Sequence, residues 1–155
     1  MEIDHGFTTD MKYAICGTFT GGLSSKIYPL LKNEWYNVKT LYPVVDDQSE
    51  INGDKAFNSL DDLPEPVDVV ISVHKSDITL GIIKKIAVMD PKPGIWFMPG
   101  TASKESIDIC EKHNINYGQS CLMGHRQFTG IGKYFNMHNF HGFVGKWNKV
   151  PKQTS

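Results

Sequence analysis

The sequence predicts an α/β fold: a doubly wound, mainly parallel five-stranded sheet with helices on both faces. Three observations carry this. Short apolar, β-branched runs alternate with segments of helical apolar spacing over most of the first 118 of 155 residues. The clearest run, Val67-Asp-Val-Val-Ile-Ser-Val73, is almost continuously apolar, as a strand covered on both faces must be. Strand and helix simply repeat, and right-handed crossovers turn such a repeat into a parallel sheet flanked by helices.

Taken in order, residues 1–11 are polar and read as a short irregular arm. Lys12–Cys16 is the first strand. It runs into Gly17-Thr-Phe-Thr-Gly-Gly22, and then Leu23, Ile27, Leu30 and Leu31 recur at helical spacing. Pro29 has no amide hydrogen, so the helix is expected to begin near Lys26 or to bend at the proline. Val38–Tyr42 reads as strand two, closed by Pro43. Val44–Ala56 turns acidic and loop-like, and Ser59-Leu-Asp-Asp62 resembles the capped start of one short turn that Pro64 and Pro66 cut off. After the Val67–Val73 strand, Ser76 is the expected N-cap of a helix with Ile78, Ile82, Ile86 and Met89 in one stripe. Gly94–Met98 is strand four, Ser103 starts a helix with Ile107 and Cys110 inward, and Ile115–Gly118 is a fifth strand.

The length is that of one domain, which buries roughly 70% of its unfolded surface. The expected core is about residues 11–124, with 125–155 an aromatic-rich extension that either packs back on the domain or contacts a second copy in a homodimer. A formal net charge of −1 argues against nucleic acid or an anionic membrane as partner. No window reaches the roughly 20 apolar residues of a membrane span. The opening Met-Glu-Ile-Asp-His-Gly lacks a basic start and apolar core, so no signal peptide is expected. Three cysteines without a CxxC pair give no disulfide framework, and a reducing cytoplasm is the simplest location.

In open parallel sheets ligands sit beyond the C-terminal strand ends. Here the first such loop leads into a helix start, whose amides and dipole suit a phosphate. The spacing G-x-G-x-x-G is missing, and so is the P-loop pattern G-x-x-x-x-G-K-[ST]. Strand two as read also shows no acid until Asp46, which counts against NAD. Asp61, Asp62 and Glu65 look like paired carboxylates, but capping and turn roles explain them better. His125, His138 and His141 lack the companion spacing of a metal site, and no nucleophilic triad can be built from spacing. No catalytic residue is therefore assigned.

Ser59-Leu-Asp-Asp-Leu-Pro-Glu-Pro-Val-Asp-Val-Val-Ile-Ser-Val73 is similar to the S-L-x-D-L-P-E-P-V-D-V-V signature of the small CoA-binding domain proteins. Their Rossmann-like fold is also that of the N-terminal domain of the succinyl-CoA synthetase α subunit. Lys75-Ser76, Trp96-x-x-Pro99-Gly100 and Cys121-Leu-Met123 match downstream, and Phe19-Thr20-Gly21 resembles the synthetase G-F-T-G loop. The resemblance spans about residues 11–124 and implies coenzyme A as ligand. It places Gly17, Thr18, Phe19 and Thr20 along the diphosphate, with Ser25 and Lys26 near the phosphates. It sets Tyr42 and Pro43 beside the adenosine, Val73, His74 and Lys75 around the adenine, and Pro99-Gly100 along the pantetheine arm. Ser24 and Ser25 are phosphate donors or caps.

The chain departs from the family at three places. The G-A-S loop start is missing, Val44 replaces the lysine of N-P-K, and Met98 stands where glutamine precedes P-G. Cys121 either packs inertly or meets the CoA thiol in a mixed disulfide. The implied function is non-catalytic CoA or acyl-CoA binding as carrier, sensor or regulator. The alternative is an NAD(H)-dependent oxidoreductase or redox sensor using the same crevice.

Overall fold

The structure is a computed structural model that describes residues 2–3, 7–8, 10–34 and 38–119. In chain order its elements are β1 (Glu2–Ile3), β2 (Phe7–Thr8), β3 (Lys12–Cys16), α1 (Gly22–Pro29), β4 (Thr40–Val44), β5 (Glu50–Ile51), β6 (Asp54–Lys55), β7 (Val69–Ser72), α2 (Ser76–Ile86), β8 (Gly94–Phe97), α3 (Lys104–Lys112) and β9 (Tyr117–Gln119). The five main strands form one parallel sheet in the order β4-β3-β7-β8-β9. Two layers of side chains cover it. Tyr13, Ile15, Val69, Ile71 and Trp96 pack with Ile27, Tyr28 and Leu31 on one face. Ala14, Cys16, Val70, Ile95 and Phe97 pack with Ile83, Ile86, Ile107 and Cys110 on the other. Helix α1 thus serves one face and α2 with α3 the opposite one, and the Rossmann-like α/β class expected from the sequence is what the chain adopts.

Several elements differ from the sequence reading. The arm is not wholly irregular, because Glu2–Ile3 pairs antiparallel with Phe7–Thr8. Strand two lies two residues further along, at Thr40–Val44, with Pro43 inside it opposite Ile15. The proline is tolerated because β4 is the sheet edge and its residue 43 faces outward: the Pro43 carbonyl accepts from Phe57 N–H at 3.0 Å. The missing amide would have pointed away from β3, so no ladder bond is lost. Within the acidic segment, β5 and β6 form a hairpin closed by Asn52-Gly53, both at positive φ (50° and 86°). That is the Asn-Gly turn that suits the twist of two strands.

Helix α1 begins at Gly22, earlier than Lys26. It does change character at Pro29, beyond which Leu30–Glu34 widens into a π-helical turn. Without an N–H at Pro29, and with its ring crowding the carbonyl of Ser25, the regular bonding pattern cannot continue. In α2 the N-cap is Lys75 and not Ser76, and the inward face is Thr79, Ile83 and Ile86, leaving Ile78 48% exposed. Ser59 caps the single 3₁₀ turn Leu60–Asp62 as expected, its Oγ accepting from Asp61 N–H at 3.3 Å. Ser103 caps α3 in a reciprocal capping box with Ser106, and Ile107 and Cys110 face inward.

Candidate binding crevice at the carboxyl ends of β3 and β7

Strand β3 lies between β4 and β7, so the chain leaves it to one side and later returns on the other. Such a switch in strand order opens a crevice beyond the strand ends. Two backbone bonds hold the three tips level: Gly17 N–H to the Val44 carbonyl (3.3 Å) and Val73 N–H to the Cys16 carbonyl (2.9 Å). The segments beginning at Gly17, Val45 and Val73 therefore share one rim.

The turn from β3 into α1 is shaped by close packing. A Cβ on Gly17 would lie 2.5 Å from Ser24 Cβ and 3.0 Å from its Oγ, so only glycine lets α1 come this near the strand. Ser24 is 3% exposed, and its Oγ accepts from Phe19 N–H at 2.9 Å. Phe19 is held at φ 57°; the residue is 9% exposed, and its ring lies edge-on to Tyr28 at 5.9 Å. Its side chain anchors the loop in the core, while Thr18 and Thr20 are exposed at the rim.

Of the amides that a helix start leaves without intrahelical acceptors, that of Gly21 donates to Ser25 Oγ at 3.1 Å. The next three belong to Gly22, Leu23 and Ser24. Gly21 offers the end no side-chain cap, and the first turn carries no acidic residue. The positive end of the dipole is thus left uncompensated at the crevice, an arrangement suited to an anion. Sequence reading placed this grip on residues 17–20, whereas the geometry adds Gly22 and Leu23. The signal was Gly21-Gly22 itself, with φ 106° and 73°, conformations few other residues adopt.

Across the crevice, the turn from β7 into α2 is fixed by buried hydroxyls. Thr79 Oγ1 donates to the His74 carbonyl (3.1 Å) and lies 2.8 Å from Ser72 Oγ. His74 is half-buried, and burial lowers its pKa below the usual imidazole value while the charge of Asp46 works in the opposite direction. Lys75 and Lys26 are both exposed. Beyond β8, Thr101 N–H and Oγ1 both donate to the Met98 carbonyl, at 3.1 and 2.7 Å, around a turn with Gly100 at φ 81°.

Gly17, Thr18, Phe19, Thr20, Ser25, Lys26, Val73, His74, Lys75, Pro99 and Gly100 accordingly fall in or beside the loops that follow β3, β7 and β8. Tyr42 and Pro43 do not: they lie in the body of β4. The Tyr42 hydroxyl donates to Glu65 Oε1 at 2.5 Å, and Glu65 also pairs with Lys12 at the opposite end of β3. That hydrogen bond, with burial, pushes the Tyr42 pKa up to about 12. Cys121, His125, His138 and His141 lie outside the described residues. Among the described residues, no group of three or more His, Cys, Asp or Glu side chains could hold a metal ion. No helix among them is long and apolar enough to cross a membrane.

One acid was set too far from a strand tip by the sequence reading. With β4 ending at Val44, Asp46 is the second residue beyond it, and Gln48 Nε2 donates to the Thr18 carbonyl at 3.0 Å. The loop after β4 is thereby tied to the loop after β3.

Comparison with known proteins bears on the family and the fold. The family model described as CoA binding domain matches residues 12–127. A conserved hypothetical protein from Pyrococcus furiosus is 27% identical, covers 73% of this chain and 96% of its own, and superposes with a TM-score of 0.61. A hypothetical protein from Pyrococcus horikoshii OT3 is 19% identical over 79% of this chain and 92% of its own, with a TM-score of 0.63. The apo dinucleotide-forming acetyl-coenzyme A synthetase 1 of Ca. Korarchaeum cryptofilum shares the fold at 18% identity over 70% of this chain and 25% of its own, with a TM-score of 0.55. No curated protein sequence matches the chain.

Proposed function

The chain belongs to the CoA binding domain family, and on that premise we propose that it binds coenzyme A or an acyl-CoA without catalysis, as a cytoplasmic carrier, sensor or regulator. The observation that carries the reading is the uncapped start of α1, free of acidic residues in its first turn and opening at the switch in strand order. These features fit a diphosphate. The amides of Gly22, Leu23 and Ser24 supply donors, the hydroxyls of Thr18, Thr20 and Ser25 border them, and Gly17 lets the helix end approach. Lys26 and Lys75 add charge without making the surface basic. Val73, His74 and Lys75 form the nucleotide wall, and Pro99-Gly100 borders the path of the pantetheine arm. Cys121 remains a candidate to meet the ligand thiol.

Isothermal titration calorimetry of the full chain with CoA, acetyl-CoA and NAD tests the proposal. Heat of binding is expected with CoA or its thioester. Lys26→Ala or Lys75→Ala should weaken it by roughly one to two decades, the worth of one charge-assisted phosphate contact. No heat with CoA or acetyl-CoA, beside measurable binding of NAD, overturns it.

A second reading, an NAD(H)-linked oxidoreductase or redox sensor, draws on Asp46. It stands near the end of the second sheet strand, where an acid commonly receives ribose hydroxyls. A nicotinamide cofactor retained through purification and read by its absorbance would favour this reading.

A further inference from the structure

The loop after β4 carries two adjacent carboxylates, Asp46 and Asp47, both exposed. It is held at both ends. Val45, 4% exposed, donates its N–H to the Phe57 carbonyl at 2.8 Å, and the Ser49 carbonyl accepts from Ala56 N–H at 3.0 Å. Between these anchors Gln48 reaches across to the Thr18 carbonyl at 3.0 Å. The acids are therefore held beside the loop that follows β3, and Asp46 acts electrostatically on His74 across the tips of three neighbouring strands. A third carboxylate, Asp77, sits in the first turn of α2. The loops around the crevice therefore carry exposed acids as well as the exposed Lys26 and Lys75, a setting that suits a diphosphate better than a further dianion beside Asp46 and Asp47.

We infer that Asp46 and Asp47 tune the nucleotide preference of this crevice, favouring an adenosine diphosphate ester whose ribose hydroxyls are free over one with a 3′-phosphate. The inference rests on the CoA-type reading of the site and sharpens it: dephospho-CoA is preferred to CoA itself. The chemistry is direct. A carboxylate accepts hydrogen bonds from ribose hydroxyls, whereas a phosphate monoester carries close to two negative charges at neutral pH and is repelled. Both acids are solvated, so the repulsion is screened, and the expected preference is about tenfold at physiological salt.

The test is titration calorimetry of the full chain with CoA, dephospho-CoA and NAD, at low and at high salt. Dephospho-CoA should bind about tenfold more tightly than CoA, with the gap narrowing as salt rises. In Asp46→Asn/Asp47→Asn, whose fold is checked by its thermal midpoint, CoA should come within about twofold of dephospho-CoA. CoA binding as tightly as dephospho-CoA to the natural sequence, or a gap that survives in the double variant, overturns the inference and leaves the CoA reading standing. NAD bound more tightly than dephospho-CoA supports selection of a free ribose but removes the CoA reading. Failure of all three ligands removes both.

Discussion

Replacing Gly17 by alanine is the sharpest test of how the crevice is built. The added methyl would lie 2.5 Å from Ser24 Cβ and 3.0 Å from Ser24 Oγ, where an ordinary contact begins at 3.4 Å. Ser24 is itself buried in the first turn of α1, and its Cβ cannot swing aside as the end of a surface side chain could. Strand and helix must separate by most of an ångström, in a core packed like a crystal. Overpacking of this kind costs about 1–3 kcal/mol. For a chain of this size that is a fall of roughly 2–12 °C in thermal midpoint, since each kcal/mol moves the midpoint by about 2–4 °C.

The same shift pulls Ser24 Oγ away from Phe19 N–H, so the loop that carries Thr18 and Thr20 should lose its set conformation. Affinity for CoA is expected to fall with stability. Gly17→Ala/Ser24→Gly supplies the control, because it removes the clashing Cβ and Oγ together. Glycine in the first turn of a helix carries its own cost of up to about 1 kcal/mol. Even so, the double variant should be more stable than the sum of the single changes, with a coupling of about 0.5–3 kcal/mol. Thermal and urea denaturation of the four proteins in the cycle measure it. An unchanged midpoint in Gly17→Ala, or additive single changes, refutes the packing argument.

Other expectations follow from the same contacts. Tyr28 donates to Asp54 Oδ2 at 2.7 Å, and Lys32 pairs with the same carboxylate, fastening the β5–β6 hairpin to α1. Tyr28→Phe should cost about 1.5–2 kcal/mol in urea denaturation, the lower part of the range for charged acceptors because Asp54 keeps access to water. Lys32 first, and then Tyr28, hold the Asp54 pKa below the usual 3.8. Its contribution is therefore complete above that value and lost as pH falls below it, and Asp54→Asn should flatten the stability curve in that acid range. Ser103→Ala removes one half of the α3 capping box and should lower stability by about 1 kcal/mol, seen as a lower thermal midpoint. Burial pushes the thiols of Cys16 and Cys110 up to about 12. Peptide mapping after iodoacetamide at pH 8 should find both unlabelled in the native chain and labelled after denaturation.

Much of the fold was legible because burial on both faces forces strand runs such as Val69-Val70-Ile71 to be apolar at successive positions. The misreadings arise where tertiary contacts override local rules. Pro43 looked like a strand terminator, yet an edge strand tolerates it when the missing amide faces outward. The α2 stripe was counted on isoleucines, which hid Thr79. That threonine is wholly buried because its hydroxyl is satisfied by His74 and Ser72, and Ile78 turns outward in its place. The β5–β6 hairpin carried a readable Asn52-Gly53 signal that the surrounding acidity obscured.

The candidate site divides along the same line. From the sequence only the set of loops at the carboxyl strand ends could be read, and the observed strand order then singles out those after β3 and β7 as the candidate crevice. Which groups remain to meet a ligand was not legible, because that depends on internal hydrogen bonds no spacing reveals. Phe19 and Gly21 amides are consumed by Ser24 and Ser25 within the turn, which moves the available donors onto Gly22 and Leu23. The end of β4 at Val44 likewise brings Asp46 to the rim, where Gln48 ties its loop to Thr18. A two-residue difference in where one strand stops therefore decides whether that side of the crevice is read as neutral or acidic. On the proposed reading the start of α1 grips the diphosphate, and this edge discriminates between one nucleotide and another.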